Sequence, residues 1–577
     1  MKKKLLPALI VTGLIILVVI IMGITALINK YTPTKKTEDL KEYFNISSDD
    51  EAALIVDNEL SDYKAKIIDK KIYVDYKFVH DSLNSRFYWD ANENVLLYTT
   101  ASDIISAAAD SNSYSVTKQT NDFGYPIVKA TSDSALIALD YVKQYSNITF
   151  KSYDDPARIV ITSKWDEIDS ATVSKSTQVR VKGGIKSPIL KEVKKDDKIT
   201  ILDSGDKWDK VATEDGVIGY IKHKALSESK KTKLTNPDYE EETFTHIKKD
   251  KDICLAWNQV TSQSANSKVP QVISSTKGIN VMSPTWFYLN DNNGNLADIA
   301  SKDYVSYCHS QGIEVWGLFS NLENTDVDAA YVLTHTSTRT TLINQIMSAA
   351  FNYELDGVNI DFENITEAAY GDSYIEFIRE LAIKCHNNGI SLSVDVTVPA
   401  SFNKFFNRSD MAKFADYIVI MGYDEHYKGS DAGSVSSIPW VTEGVESTLK
   451  EVPADQIILG MPFYTRIWEL TPKEDDDAVT DTEDQSKYTV ASQVYSMDAA
   501  AAQLATNNAT AALDEKSGQN YAEWSASNKL YKVWLEDSTS LEKRLKLVDD
   551  NKLAGAAFWK LGFENSSVWD TVIKYLD

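Results

Sequence analysis

Eight short apolar runs between residues 244 and 577 constrain the fold of this chain more than any other feature. Each run has the length and composition of a strand that is buried on both faces, as in a parallel sheet. Segments with helical periodicity, such as 329–351 and 374–386, separate most of them. Eight strand–helix units in this length predict an α/β fold, a (β/α)8 TIM barrel. The predicted strands are 253–257, 279–283, 313–319, 357–362, 392–397, 417–422, 457–462 and 554–559.

The gap between the seventh and eighth runs is too long for a single loop and helix. Residues 467–530 contain an acidic stretch at 474–477, an alanine-rich stretch and several aromatic residues. We therefore predict a small α+β insertion beside the mouth of the barrel.

The N-terminus has the pattern of a membrane segment. Lysines at positions 2–4 precede an uncharged, mostly apolar run over 5–28, and a helix needs about 20 such residues to cross a bilayer. Residues 26–28 do not form a small-x-small cleavage site, which favours an uncleaved signal anchor over 1–30. The lysines favour a cytoplasmic N-terminus, with everything after about residue 30 on the outer, cell-wall side of a single-pass protein. Cleavage after the run is the alternative, and residues 31–50 are predicted to be a polar tether.

Residues 51–165 contain two similar units. A strand, a helix and a hairpin over 72–98 recur over 127–161, which indicates an internal repeat. The pattern resembles the copper amine oxidase N-terminal-like repeats of exported bacterial proteins. No cluster of metal ligands lies in it, so we infer no copper.

Short strands with glycine turns follow at 170–228. The strand markers 179–181, 198–202, 208–211 and 219–221 lie close to Gly-Gly and Asp-Gly turns. This spacing resembles a bacterial SH3-like domain, a small β-barrel often associated with cell-wall peptides; a β spacer without a ligand is the alternative. Residues 229–243 are predicted to be a linker before the barrel at 244–577.

Composition limits the classes of partner. The chain of 577 residues carries a formal net charge of −24, which argues against nucleic acid because phosphate binding needs basic patches. Cys254, Cys308 and Cys385 are too few and too widely spaced for a disulfide framework, and buried small side chains are the expected role. No His-Glu-x-x-His motif occurs, and we expect neither metal nor cofactor. The oligomeric state is left open.

The fourth predicted strand carries the pattern that indicates chemistry. Strand alternation places Val358, Ile360 and Phe362 on one face and Asn359, Asp361 and Glu363 on the other. The last of these lies at the carboxyl end of the strand, where barrel enzymes have their active sites. It can protonate a leaving oxygen if its neighbours raise its pKa.

The second carboxylate of this strand points the same way as the first. Asp361 therefore does not suit a nucleophile that attacks from the opposite side of a sugar. The arrangement suits a substrate-assisted route, in which the N-acetyl oxygen of the sugar attacks the anomeric carbon. Asp361 would then orient the acetamido group while Glu363 donates the proton.

These residues resemble the D-G-x-D-x-D-x-E signature of glycoside hydrolase family 18. Asp356, Gly357, Asp361 and Glu363 match it, and Asn359 departs from it. The resemblance covers 244–577 and is greatest to the spore-cortex branch, the peptidoglycan N-acetylglucosaminidases.

Further site residues are implied by the resemblance. Met421 and Tyr423 lie in a Met-x-Tyr-Asp motif whose tyrosine contacts the acetamido carbonyl, and Asp424 is expected to contact the sugar or Asp361. Trp559 resembles the tryptophan that forms the floor of the sugar site. Trp286 and Asn359 are further substrate-binding candidates. For Trp257, Trp316 and Trp468, sugar stacking and barrel packing are equally compatible with the sequence.

The Asn359 departure leads to a prediction about pH. In the family pattern the carboxylate at this position helps relay charge to the next one. An amide can hydrogen-bond Asp361 but cannot take a proton. Removal of a negative charge lowers the pKa of neighbouring carboxyl groups, so we expect a more acidic pH optimum than an enzyme with aspartate at this position would have.

Together these features predict a membrane-anchored, extracellular glycoside hydrolase. We expect it to cleave β-linked N-acetylglucosamine in peptidoglycan with retention. A chitinase or an endo-β-N-acetylglucosaminidase acting on glycans would use the same site and is the first alternative. A non-catalytic wall-binding lectin is the second, although Glu363, the residue such a lectin would lack, is present.

Overall fold

The computed structural model describes residues 2–363, 365, 370–473 and 485–576. It divides them into two compact units. The first contains the chain up to residue 89 together with 107–114 and 121–241, and the second contains 90–106, 115–120 and 242–577.

Eight parallel strands close into a barrel in the second unit, as predicted. Neighbouring strands pair in chain order, and the first pairs with both the second and the eighth. Numbered along the barrel, they are β1 Ile253–Asn258, β2 Val281–Leu289, β3 Glu314–Ser320, β4 Gly357–Asp361, β5 Ser391–Thr397, β6 Tyr417–Met421, β7 Ile457–Pro462 and β8 Gly555–Trp559. The main helices that follow these strands are Val269–Ile273, Lys302–Ser310, Ala329–Thr334, Thr336–Tyr353, Gly371–His386, Arg408–Phe414, Ile438–Thr448, Ser538–Asn551 and Trp569–Val572.

Seven strands begin and end within one residue of their predicted limits, and β2 does not. It continues to Leu289, beyond the predicted end at residue 283. Its pairing with β3 shifts register between Thr285 and Phe287, and its end forms a hairpin with Leu296–Asp298. A bulge of this kind lets a strand leave the barrel wall without ending.

The two faces of β4 separate as strand alternation requires. Val358, Ile360 and Phe362 are buried in the apolar layer between the barrel and its helices. Asn359 faces the interior, where the polar layer at the mouth lies above an inner apolar cluster that includes Leu255, Trp257 and Val419.

An antiparallel five-stranded sheet and the helix Met497–Thr506 lie between β7 and β8. The strands are Tyr464–Pro472, Tyr488–Ser496, Ala512–Asp514, Gln519–Ala526 and Lys529–Leu535. The insertion is therefore wider than the predicted 467–530. The acidic stretch at 474–477 lies outside the described residues.

The first unit contains two seven-stranded sheets. In one, strand Lys71–Asp75 leads into helical residues 76–83, and strand Ala135–Ala138 leads into helix Leu139–Tyr145. The hairpin of Thr149–Tyr153 and Arg158–Thr162 follows the second helix, so the strand–helix–hairpin order of the predicted repeat is present. The other sheet is antiparallel. Its first and last strands in the sequence, Glu167–Thr172 and Lys230–Lys233, pair with each other. The resemblance of these sheets to named families stays a prediction. The strands of the first sheet are, in spatial order, Thr149–Tyr153, Arg158–Thr162, Glu51–Val56, Glu59–Ile68, Lys71–Asp75, Ala135–Ala138 and Val128–Ala130. Those of the second sheet are Ile189–Val193, Thr177–Arg180, Ile218–Lys222, Trp208–Thr213, Lys198–Asp203, Glu167–Thr172 and Lys230–Lys233.

A further sheet of the chain has five strands. Its strands are Phe87–Asp90, Val95–Thr99, Ile104–Ala108, Ser113–Val116 and Gln119–Asp122.

Two segments predicted to be connectors are partly folded. Within the predicted tether 31–50, Phe44 is buried in a core with Val179 and Val211, and the Tyr43 hydroxyl donates to the Ile218 carbonyl at 2.6 Å. Within the predicted linker 229–243, residues 230–233 form a strand. Neither folded segment could be predicted from the polar composition, because an isolated aromatic residue or a lysine-rich edge strand shows little hydrophobic periodicity.

The N-terminal helix spans Lys2–Tyr31. Residues 7–31 have a mean hydropathy of 2.9 and are not buried within the protein. The helix is therefore either a signal sequence or a membrane anchor. The three cysteines are buried and unbridged, as expected.

Candidate active site

The polar face of β4 carries three residues from the barrel interior to its mouth. Asn359 is fully buried, Asp361 is half-buried above it, and Glu363 is open to the cleft. Because side chains on one face of a strand repeat every second residue, the two carboxyl groups leave the barrel wall on the same side.

Asn359 is fixed by four hydrogen bonds to three other strands. Its Oδ1 accepts from the Trp257 indole N–H at 2.9 Å and from the Ser283 hydroxyl at 2.9 Å. Its Nδ2 donates to Ser393 Oγ at 3.0 Å and to Asp395 Oδ1 at 2.7 Å. An amide has two donor hydrogens and two acceptor lone pairs, so this side chain is saturated and its orientation is determined.

Asp361 lies between other carboxyl groups. Its Oδ1 is buried and has no hydrogen-bond partner in the described part of the chain. Burial raises the pKa of Asp361 well above its ordinary value, and the charges of Asp395, Glu363 and Glu323 raise it further. A buried carboxyl oxygen without a donor stays costly, and we infer that it awaits either a proton or a substrate N–H.

Glu363 has the character of a general acid. Although its side chain reaches the cleft, desolvation by the surrounding protein raises its pKa, and the carboxylates of Asp424 and Glu323 add to this effect. Its backbone N–H donates to Asn321 Oδ1 at 3.1 Å, which fixes the end of β4 against the end of β3. A carboxylic acid that keeps its proton nearer neutral pH can transfer it to a leaving oxygen.

Aromatic rings form the wall beside these carboxyl groups. The Trp257 ring contacts Tyr423 edge-on at 6.4 Å between centroids and Trp559 at 6.0 Å. Burial raises the pKa of the Tyr423 hydroxyl well above its ordinary value, and Asp361, Asp395 and Glu363 raise it further. The hydroxyl therefore stays protonated and remains a hydrogen-bond donor.

Two residues at and just after the end of β6, Met421 and Asp424, complete the mouth. Asp424 adopts a left-handed backbone conformation with φ of 60°, accepts from the Tyr464 hydroxyl and lies 3.5 Å from an Arg466 nitrogen. Met421 is buried and lines a cavity of about 140 Å³ with Glu363 and Asp395. The predicted residues Asn359, Asp361, Glu363, Met421, Tyr423, Asp424 and Trp559 thus come from β4, β6 and β8 to one end of the barrel.

Trp286 does not fit its predicted substrate-binding role. It is fully buried outside the barrel wall, where its indole N–H donates to Asn266 Oδ1 at 2.8 Å and its ring contacts Tyr304 at 4.8 Å. The extension of β2 past residue 283 places this side chain on the outer face of the strand, so the expectation is corrected.

Two further tryptophans also serve packing. Trp316 is buried near the amino end of β3, stacked on Tyr417 at 5.6 Å, and Trp468 is buried in the core of the insertion. Trp257 differs from both, because it lies beneath the site and bonds Asn359.

A model of the family described as Glycosyl hydrolases family 18 matches residues 319–564, which include β4, the residues after β6 and Trp559. The part of the barrel from the end of β3 to the residues after β8 therefore matches the family 18 glycoside hydrolases. The enzyme is thus a glycoside hydrolase, as predicted.

The chain is also similar to curated relatives and to solved structures. The chain is 24% identical over 301 residues to the uncharacterized glycosylase YvbX of Bacillus subtilis, covering 49% of this chain and 81% of YvbX. It is 25% identical over 287 residues to the cortical fragment-lytic enzyme of the same organism, covering 48% of this chain and 63% of that enzyme. A solved C-terminal domain from Desulfitobacterium hafniense DCB-2, described as a chitinase, has the same barrel fold, with a TM-score of 0.50, 18% identity, and coverage of 57% of this chain and 100% of that domain.

The family 18 motif does not include one carboxyl group of this site. Asp395 is 4% exposed and bonds Asn359, yet sequence reasoning missed it. The alternation of Ser393 and Asp395 with Leu392, Val394 and Val396 was a signal, because the polar members of such a strand face inward. The same finding alters the pH expectation: the charge that Asn359 removes from β4 is replaced by Asp395 on β5.

Proposed function

We propose that this enzyme hydrolyses β-linked N-acetylglucosamine in peptidoglycan and retains the anomeric configuration. The observation that carries the reaction type is the position of Asp361. It lies on the same strand as Glu363, with a buried oxygen that has no partner in the described chain. It is thus placed to accept a substrate N–H, and poorly placed to attack the anomeric carbon from the opposite side.

The proposed reaction has two steps. Glu363 donates its proton to the glycosidic oxygen while the acetamido oxygen of the substrate attacks the anomeric carbon, so that an oxazolinium ion forms and the leaving sugar departs. Asp361 accepts the acetamido N–H and stabilises the positive charge, and the Tyr423 hydroxyl donates to the acetamido oxygen. Glu363 then takes a proton from water as the water opens the ring, which gives retention.

Other residues position the sugar. Trp559 supplies an apolar platform at the end of β8, and Asp424 and Met421 border the ring from the end of β6. Asn359 acts from below by fixing Trp257, which contacts both aromatic rings of the site.

The identity of the polymer rests on the relatives. Similarity to the cortical fragment-lytic enzyme favours peptidoglycan, and an N-terminal helix used as an uncleaved anchor would hold the catalytic domain at the cell wall. The predicted SH3-like sheet would then lie between the membrane and the barrel along the chain, where a wall-binding module is useful. Chitin is the second candidate, because a probable endochitinase of Caenorhabditis elegans is 27% identical over 158 residues.

Product analysis tests the proposal. Purified peptidoglycan, chitin oligomers and N-glycans are digested in parallel, the new reducing ends are reduced with borohydride, and the products are identified by mass spectrometry. We expect reduced N-acetylglucosamine ends from peptidoglycan. Reduced N-acetylmuramic acid ends, or turnover of chitin alone, would reject the assignment.

A matched pair of variants shows that the products come from this site. Glu363→Gln should abolish the release of new ends. Glu446→Gln, an exposed glutamate on the outer helix Ile438–Thr448, should leave it unchanged.

The position of the N-terminus is a separate test. Sequencing of the mature N-terminus from membrane fractions should find the lysines at positions 2–4 retained, and protease added to intact protoplasts should remove the barrel. A mature chain that begins after residue 28 and is released into the medium would show that the helix is a signal sequence.

A further inference from the structure

Asp395 is a buried carboxyl group next to the site, and nothing in the family 18 motif explains it. It lies on β5 and faces the barrel interior, because its neighbours Val394 and Val396 pack outward against the helices. It is 4% exposed. A carboxyl group in such a place needs a partner or a role, since the burial of an isolated charge costs several kcal/mol.

The strand register brings Asp395 beside Asp361. Asn359 pairs with Ser393 and Ile360 pairs with Val394, so the two aspartates come next along adjacent strands and both face inward. Adjacent strands are about 4.8 Å apart. Of the charges that raise the pKa of Asp361, Asp395 has the largest effect, although burial is larger still.

Asn359 cannot be the proton partner of Asp361. An amide does not take a proton, and both hydrogens of its Nδ2 are already given to Ser393 and Asp395. Asn359 therefore holds Asp395 in place, and Asp395 is the carboxyl group that faces Asp361 from the adjacent strand.

We propose that Asp395 is a positioning residue that shares one proton with Asp361, in the place that the family pattern gives to a carboxylate at position 359. In the free enzyme the pair holds one proton and one negative charge. When the oxazolinium ion forms, the proton rests on Asp395 and Asp361 is ionised, so that it accepts the acetamido N–H. When product leaves, the two carboxyl groups share this proton again, so the pair keeps one proton throughout and none is consumed. This role rests on the proposed acetamido chemistry but not on the identity of the polymer.

Other titratable groups also lie close to the pair or to Glu363. Those close to the pair are Glu363 on the β4 end, Glu323 after β3, Tyr423 after β6 and Tyr374 on helix Gly371–His386, while Asp424 acts on Glu363. All are acidic groups, and the nearby cation Arg466 is paired with Asp424. The surroundings thus favour retention of a proton by the pair.

The first test is Asp395→Asn, which keeps size and can still accept the Asn359 hydrogen bond through its amide oxygen. We expect kcat/KM on a chromogenic N-acetylglucosaminide to fall about 100-fold. The alkaline limb of the pH–rate profile should move to lower pH, because the loss of a negative charge lowers the pKa of the remaining carboxyl groups. A Tm that is not lower than that of the wild type shows that the fold is retained.

The second test exchanges the two residues. Asn359→Asp alone adds a third carboxyl group and should move the alkaline limb to higher pH. The double variant Asn359→Asp/Asp395→Asn restores one carboxyl and one amide in contact, and should recover kcat/KM to within about threefold of wild type. Wild-type kcat/KM and pH profile in Asp395→Asn, or a double variant no better than Asp395→Asn, would overturn the proposal.

A readout without turnover separates this inference from the proposed function. The infrared difference spectrum of wild type minus Asp395→Asn at neutral pH should show the C=O band of a protonated carboxylic acid. If peptidoglycan is not cleaved but this band is present, the substrate assignment fails and the proton-sharing pair stands. If the band is absent, the pair fails whatever the enzyme cleaves.

Discussion

Two sets of buried carboxyl groups in the catalytic unit have different surroundings. Those among the helices face arginines: Glu536 lies 2.7 Å from an Arg544 nitrogen, and Arg339 lies 2.8 Å from Glu380. Those inside the barrel, Asp361 and Asp395, face other carboxyl groups. A third helical cluster pairs Arg379 with Glu376 and Asp410.

The contrast distinguishes carboxyl groups that stabilise the fold from carboxyl groups that take part in the reaction. A buried ion pair with satisfied hydrogen bonds repays its desolvation to a large extent. Two buried carboxyl groups without a cation do not, and burial together with repulsion between neighbouring carboxyl groups raises their pKa above the ordinary value. Clusters of this kind concentrate at functional sites, so removal of charge should harm stability in the first region and activity in the second.

Glu363→Gln should have the largest effect. We expect kcat to fall by about 10³–10⁴-fold, the upper part of the range for loss of a general acid. Tm should stay within about 2 °C, because an exposed glutamine replaces an exposed glutamate. Release of reducing ends and differential scanning calorimetry provide the two readouts. A large loss of Tm would place this residue in the structural class.

Arg544→Leu should have the next largest effect, on stability. It leaves Glu536 buried without its cation, which costs about 3–5 kcal/mol of unfolding free energy. Activity per folded molecule should be unchanged. The control is Lys546→Met, an exposed position on the same helix, expected to be near neutral. A loss below about 1 kcal/mol for Arg544→Leu would break the comparison.

Tyr423→Phe removes one hydroxyl from the site and should reduce kcat/KM by about 10–100-fold, as for loss of a hydrogen bond to a charged group. Tyr417→Phe is the matched control. Its hydroxyl lies at the opposite end of the barrel, where it accepts from the Lys249 backbone N–H at 3.0 Å. Equal losses of kcat/KM in the two variants would show that neither hydroxyl acts on substrate.

Asp395→Asn should have the smallest effect on stability, which is a small increase in the free energy of unfolding. The pKa of Asp395 is raised in the folded protein, chiefly by burial, so the folded state binds more protons than the unfolded state and loses stability as pH rises from about 4. The amide removes this loss, and the gain should be absent near pH 4 and reach about 1 kcal/mol at pH 7. Urea unfolding at both pH values measures it. A destabilisation that is the same at both would assign Asp395 to structure.

The barrel could be predicted from sequence because its strands are buried on both faces and lie between helices. The end of β2 was not predicted, because its bulge keeps the strand paired with β3 beyond Ser283. The predicted helix 329–351 is interrupted at His335, whose backbone is extended. Such local breaks depend on tertiary contacts that periodicity does not record.

The site could be predicted only where a motif carried it. Glu363, Asp361 and Tyr423 come to one end of the barrel because strand ends meet there. Asp395 was missed because its importance depends on the register between β4 and β5, which no single strand reveals. Trp286 was assigned to the wrong face for a related reason. The register of β2 shifts between Thr285 and Phe287, and a shift of one residue moves the following side chains to the other face of the strand.

The claim that the carboxyl groups inside the barrel act on the acetamido group of the substrate has a direct measurement. Chromogenic glucosaminides with N-acetyl, N-fluoroacetyl, N-difluoroacetyl and N-trifluoroacetyl groups are compared by kcat/KM. Each fluorine weakens the acyl oxygen as a nucleophile, so the substrate-assisted account predicts a steep, continuous fall across the series. Equal values would show that the acetamido oxygen does not attack, and would contradict the account.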